Sequence, residues 1–418
     1  MGVYSTLSLK LCLLLSLLSI VSCKDHLVIL GPESKGVKHL NPVASDETMI
    51  KATQALISRV THSLSENFVL SIPSPSYPQT TQKDFFRLSS PKLNTVNIEG
   101  NNGISLASGY NHYLQNYLNA SISWTGDNLD HIKDITDLPQ ILPTDGIHRS
   151  RFLTWSYYLN VCTFSYSMVW WDWPRWEREI DWMAMKGINM PLMFVGQEYV
   201  WLKTFEEFGI KDDDLDSFFT GPAFLAWNRM GNLRNWAGPL PSEWIYDHYL
   251  LGQQIFTRMR ELGMKPVLPA FAGHVPRKFQ QLYPDAKITR ASRWFGFPDA
   301  YCCFSFLEPT DPLYQQVGSK FVANLIKYFG PNDHLYNGDQ FNEIPPTRLD
   351  STYLRAVSTG MIKSLQSADP QAKWLLQSWM FHHERYVWGE SQIKAYLSGV
   401  DDNSMIILDL WANFNPVW

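Results

Sequence analysis

The sequence predicts an α/β protein: a (β/α)8 barrel of the TIM type, incomplete here with about six βα units, preceded by a small α/β domain. Three observations predict it. From about residue 150 onward, short apolar segments rich in aromatic residues alternate with amphipathic helical ones, the rhythm of a parallel sheet with crossover helices. No Gly-x-Gly-x-x-Gly follows a strand and no Gly-Lys-Ser/Thr loop occurs, so the doubly wound nucleotide-binding alternative lacks its signature. Asn, Glu, His and Trp gather where the strands would end, which is where barrels carry their chemistry.

Composition sets the outer bounds. With 418 residues, 45% hydrophobic and 18% charged, the chain has enough apolar surface for a large core and for two domains. A net charge of −5 without any Lys/Arg block excludes a nucleic-acid footprint, because phosphates need clustered cations. The 17 Trp and 19 Tyr suit flat, partly apolar ligands with many hydroxyls, although a single Trp more often fills a core.

Residues 1–23 read as a signal peptide: Lys10 precedes an apolar run over 11–21 that is short for a membrane span and ends at Ser22-Cys23. The start Met1-Gly2 also fits a myristoylation pattern, and an uncleaved anchor is the alternative. The expected destination is the secretory pathway, either lysosome or vacuole or the extracellular space. No membrane contact is expected after cleavage, since no later segment is apolar enough. Cys162, Cys302 and Cys303 then remain, an odd number in which the adjacent pair is poorly placed to bridge. Asn119-Ala120-Ser121 is a glycosylation acceptor.

The small α/β domain is expected over 24–149. Apolar spacing predicts a helix over 47–64, strands over 68–72, 95–98 and 121–124, and a helix over 106–118. Pro73, Pro75 and Pro78 interrupt the chain, and Leu138-Pro139 with the turn-forming stretch 142–146 reads as the way out of the domain. The partial barrel follows over 150–418. Its strands are expected over 157–164, 188–195, 266–271, 334–341, 374–379 and 405–411, with helices over 175–185, 198–208, 244–262, 311–329, 351–368 and 392–397. A closed barrel needs eight units, so six leave two open hydrogen-bonding edges.

The expected strand ends present Asn160 and Cys162, Gln197 and Glu198, His274, Asn342 and Glu343, Trp379, and Asp409 to Trp411, with Trp227 and Trp294 in long loops nearby. Carboxamides and carboxylates bind sugar hydroxyls in pairs, and indole faces pack on the apolar face of a pyranose. Glu343 stands out because Phe341-Asn342-Glu343-Ile344-Pro345-Pro346 stops a strand at a carboxylic acid, the position for a general acid. No metal or cofactor is expected. Asp212-Asp213-Asp214-Leu215-Asp216 reads as charge at a helix start, and His382-His383-Glu384 lacks metalloprotease spacing. No Gly-x-Ser-x-Gly elbow supports a serine hydrolase.

Longer strings carry a resemblance. Asn160-Val161-Cys162-Thr163, Val169-Trp170-Trp171-Asp172-Trp173, Trp176-Glu177-Arg178-Glu179-Ile180-Asp181-Trp182, Phe218 to Asn232, Pro269-Ala270-Phe271-Ala272-Gly273-His274-Val275-Pro276 and Phe341-Asn342-Glu343 resemble the lysosomal α-N-acetylglucosaminidases, family 89 of the glycoside hydrolases. The resemblance implies a small α/β domain, a (β/α)8 barrel and a carboxyl-terminal helical domain, the last expected to be absent from these residues. It implies removal of terminal α-linked N-acetylglucosamine with retention of configuration by two glutamates, on a carbohydrate partner and without a cofactor. Glu343 matches the acid/base, and Asn160, Cys162, Trp227, Trp294, Asn342, Trp379 and Leu410 match pocket residues. The family's nucleophile follows a later strand, outside this chain. Asp409 is a substitute that nothing in its surroundings marks. The alternative is a catalytically inactive short product acting as a carbohydrate-binding or interaction protein. Nothing in the sequence fixes an oligomeric state.

Overall fold

The structure is a computed structural model that describes residues 40, 42–73, 83–139 and 142–410; the expected signal peptide and Trp411 lie outside the described residues. In the first domain the helix Asp46–Thr61 starts where the Ser45 hydroxyl accepts from the Thr48 N–H at 3.2 Å, and it buries Met49, Ala52, Leu56 and Val60 along one face. It packs on a second helix, Gly103–Tyr117, whose cap Asn102 accepts from the Ser105 N–H at 2.9 Å. The sheet beneath consists of β1 (Phe68–Ser71), β2 (Phe85–Ser89), β3 (Val96–Gly100) and β4 (Ile147–Ser150), in the order β1-β3-β2-β4.

Three expectations change here. The segment 121–124 forms only an isolated bridge between Ile122 and Asp127. Strands β2 and β4 were not expected. The stretch 142–146 leads into β4 rather than out of the domain, because β4 pairs antiparallel with β2. Gly146 makes that turn at φ 71, where a Cβ would stand 2.5 Å from the Leu88 carbonyl oxygen.

The barrel strands are β5 (Tyr157–Tyr158), β6 (Met190–Pro191) and β7 (Leu268–Pro269); an antiparallel excursion of β8 (His274–Val275), β9 (Ile288–Arg290) and β10 (Ser305–Leu307) follows; then come β11 (Leu335–Asn337), β12 (Lys373–Gln377) and β13 (Met405–Leu408). Neighbours β5 and β6 pair in parallel, a parallel bridge joins Leu192 to Val267, and β7-β11-β12-β13 continue in parallel. The six expected strand segments are thus adjacent in chain order. The ladders are short because the last described residues of each segment leave the sheet: Trp379 opens the helix Trp379–His383 instead of ending a strand. The excursion sheet, ordered β8-β10-β9, was not expected.

The outer helices are Trp173–Met185, Gln197–Glu207, Ser242–Glu261, Pro312–Phe329, Ser351–Gln366 and Glu390–Leu397. Among the described residues no ladder joins β5 to β13. Strand β12 is buried from Trp374 to Gln377, whereas Ile407 on β13 is 40% exposed. Among the described residues no helix is long and apolar enough to cross a membrane.

Buried charge joins the two domains. Asp84 accepts from Arg151 Nη1 (2.9 Å), Asn189 Nδ2 (3.1 Å) and Asn102 Nδ2 (2.7 Å). Lys265, 1% exposed, lies close to Asp84 and Asp333; burial pushes its ammonium down and the two carboxylates pull it back up. Burial likewise pushes the Asp333 carboxyl up to about 6. Farther out, Arg59 of the first helix grips Asp181 with two bonds of 2.7 and 2.8 Å.

Candidate active site

Glu343 lies in the turn after β11 with φ 54, a left-handed conformation that costs a non-glycine residue about 1 kcal/mol or more. Both of its oxygens are held. Trp294 Nε1 donates to Oε2 and Trp379 Nε1 to Oε1, each at 2.9 Å. The two indoles come from different parts of the barrel: Trp294 from the excursion between β9 and β10, Trp379 from the helix after β12. Trp294 is backed by Phe297, stacked at 5.5 Å. Asn342 is buried, and its carbonyl accepts from Asn232 Nδ2 at 2.9 Å.

The end of β5 lies within reach of the Glu343 charge. Asn160 Oδ1 accepts from the Cys162 N–H at 2.8 Å, which turns the chain into the short helix Thr163–Tyr166. Asn160 is exposed and Cys162 half-buried. Burial pushes the Cys162 thiol up to about 11, and the charge of Glu343 adds to the rise. Glu343 also acts on the Tyr166 phenol, whose ring meets Trp227 edge-on at 5.3 Å. Leu410 follows β13, half-buried, one residue after Asp409.

The structure therefore brings Cys162, Glu343, Trp294 and Trp379 together, with Trp227 reached through Tyr166. The sequence reading missed Tyr166. It sits four residues past Cys162, on a turn of helix that no strand pattern marks.

Other expected members are engaged elsewhere. Glu198, 1% exposed, takes both bonds of the Arg229 guanidinium, at 2.7 and 3.0 Å, and Gln197 is buried with Trp201 Nε1 donating to it at 3.3 Å. His274 is buried on β8 between Phe304 and Phe306, with Gly231 so close that a Cβ there would lie 1.9 Å from the imidazole. Asp214 caps the helix Asp212–Leu215 by accepting from the Lys211 N–H at 3.2 Å. The adjacent Cys302 and Cys303 are joined as a disulfide, contrary to expectation, and among the described residues Cys162 is the free thiol. Asp299, Cys302 and Cys303 have metal-ligand spacing, but the sulfurs are bonded to each other and Asp299 pairs with Arg290 and Arg293, so the set does not fit a cation.

His274 has a pH consequence. Burial pushes its imidazole from the usual 6.5 down to about 4. The folded protein then binds fewer protons than the unfolded chain between those values, so stability contributed by neutral His274 is present above about pH 6.5 and lost as pH falls to about 4. Melting of the protein and of His274→Gln is expected to converge across that window, by up to about 3 kcal/mol. A gap that stays constant with pH would refute burial of a neutral imidazole.

A carboxylate clamped by two indoles at the carboxyl end of a parallel barrel strand, facing a thiol and a phenol, defines a (β/α) barrel with its site at the strand ends. A family model described as the alpha-N-acetylglucosaminidase (NAGLU) tim-barrel domain matches residues 156–418, and the corresponding N-terminal domain matches 51–143. The human alpha-N-acetylglucosaminidase is 42% identical over 323 residues, 77% of this chain and 43% of that protein. A family 89 glycoside hydrolase from Clostridium perfringens, in complex with a 2-acetamido-1,2-dideoxynojirimycin, superposes with a TM-score of 0.79 at 30% identity, over 89% of this chain and 40% of its own. A form of the Clostridium protein with two Glu→Gln substitutions, in complex with its substrate GlcNAc-α-1,4-galactose, gives 0.77 at 28% identity, over 93% and 44%. The chain belongs to the alpha-N-acetylglucosaminidase family. It spans less than half the length of these relatives.

Proposed function

We propose that the protein is an exo-acting, retaining glycoside hydrolase that removes terminal α-linked N-acetylglucosamine, with Glu343 as the acid/base. The double indole grip on Glu343 carries the reading: it fixes both oxygens of one carboxyl group at the mouth of the barrel. A group so held can give a proton to the glycosidic oxygen and later take one from water. Asn160, Cys162, Asn342 and Leu410 then line the sugar pocket, with Trp227, Trp294 and Trp379 as its walls. The relatives support the sugar: the Clostridium protein holds GlcNAc-α-1,4-galactose as its substrate. An exposed Asn119, in a left-handed conformation just past a helix end, supports a glycan there and passage through the secretory pathway.

Retention needs a second carboxylate about 5 Å from the first. Three carboxylates near the strand ends are occupied. Glu198 serves Arg229, Glu384 pairs with His383, and buried Asp339 accepts from the Gln377 N–H at 2.9 Å, its side-chain amide at 2.8 Å and Asn337 at 3.2 Å. This occupancy favours a second reading for a polypeptide of these residues alone, in which it binds the sugar without turnover. Proton NMR of a disaccharide with terminal α-linked N-acetylglucosamine separates the readings. The α-anomer as first product supports hydrolysis with retention, and binding without hydrolysis supports the second reading. A β-anomer first, or no interaction, would overturn the assignment.

A further inference from the structure

The rings around Glu343 continue outward. Phe295 meets Trp294 edge-on at 4.9 Å, His383 meets Trp379 at 5.6 Å, and Phe295 and His383 meet at 6.2 Å. Because both indoles bond to Glu343, the carboxylate, Trp294, Phe295, His383 and Trp379 form a closed circuit. Its inner members are half-buried, but Phe295 is 70% exposed. Burial does not explain that position, since Phe295 also holds φ 42, a conformation unfavourable for an aromatic residue. His383 is oriented by its Nδ1 contact with the buried Glu384 at 3.1 Å.

We propose that Phe295 and His383 form the platform for the leaving-group sugar, the pyranose on the reducing-end side of the scissile bond. This rests on the glycosidase reading above. An acid that protonates the glycosidic oxygen faces that oxygen, so the departing sugar lies on the acid's solvent side. Phe295 is the most exposed ring of the circuit and so the one open to such a sugar. A flat phenyl beside an imidazole suits the apolar face of a pyranose and asks for no particular hydroxyl pattern. The platform therefore selects for a ring as the leaving group, and discriminates weakly among rings.

The test compares two substrates that share the same terminal sugar. One is a disaccharide with α-linked N-acetylglucosamine; the other is the corresponding glycosyl fluoride, which has no second ring. Phe295→Ala is expected to lower kcat/KM for the disaccharide about 10-fold and for the fluoride by less than about twofold. His383→Ala is expected to act in the same direction, and the double substitution to add little. Equal loss on both substrates, or no loss on the disaccharide, would overturn the platform. If the unsubstituted protein hydrolyses neither, calorimetric affinities decide: tighter binding of disaccharide than of free N-acetylglucosamine, abolished by Phe295→Ala, keeps the platform while the glycosidase reading fails. Equal affinities for the two sugars would overturn it.

Discussion

Glu343→Gln is expected to lower kcat/KM about 10²- to 10⁴-fold for glycosides with poor leaving groups, or about 3–5 kcal/mol in the barrier, because proton donation is lost. Aryl glycosides with good leaving groups are expected to lose much less in the first step, since they depart with little protonation. The substitution has a second effect that the geometry makes explicit. Each Glu343 oxygen accepts an indole N–H, and the glutamine amide replaces one acceptor with a donor. Trp294 or Trp379 then faces an N–H rather than an oxygen, and part of the loss comes from a displaced wall. Displacement weakens both substrate types alike, whereas loss of the acid separates them. Pre-steady-state rates of the first step on both substrates therefore measure the assignment, and parallel losses would sink it.

The same geometry shows what the residues could and could not announce. Glu343 was legible because Ile344-Pro345-Pro346 ends the apolar segment directly after it, and a strand end is a meaningful place for an acid. The order of the six barrel strands followed from alternation of apolar runs with helical ones. Their lengths did not, because apolar character persists where the chain has left the ladder: Phe194 and Val195 are buried beyond the last pairing to Val267. Strands β8 to β10 were missed because ladders of two or three residues carry no period. Strand β4 was missed because Ile147-His148-Arg149-Ser150 is an exposed edge with one buried side chain. Glu198 was misplaced for a different reason. An acid followed by a helix looks the same whether it faces a ligand or an arginine 31 residues away. Pairings of that kind are fixed by tertiary packing alone.

The second large effect is expected far from the site. Asp84→Ala is expected to destabilise the protein by about 3–5 kcal/mol, because it strips a buried carboxylate from the fully buried Lys265 and the mostly buried Arg151. Asp84 accepts from Arg151, Asn189 and Asn102, and its charge pulls up the ammonium of Lys265. Arg151 and Asn189 belong to the start of the barrel, and Asp84 and Asn102 flank strands of the small domain, so the loss falls on the seam between the domains. The isosteric change Asp84→Asn keeps the size but turns one acceptor oxygen into a donor and is expected to recover little. Removing the buried ammonium as well is the informative control. Lys265→Met combined with Asp84→Ala is expected to cost less than the sum of the two single changes, because the buried ammonium that keeps only Asp333 in the first is absent in the double. Denaturant melts of the four proteins measure the coupling. Strict additivity, or a cost for Asp84→Ala below about 1 kcal/mol, would show that the seam is held by packing rather than by this buried charge.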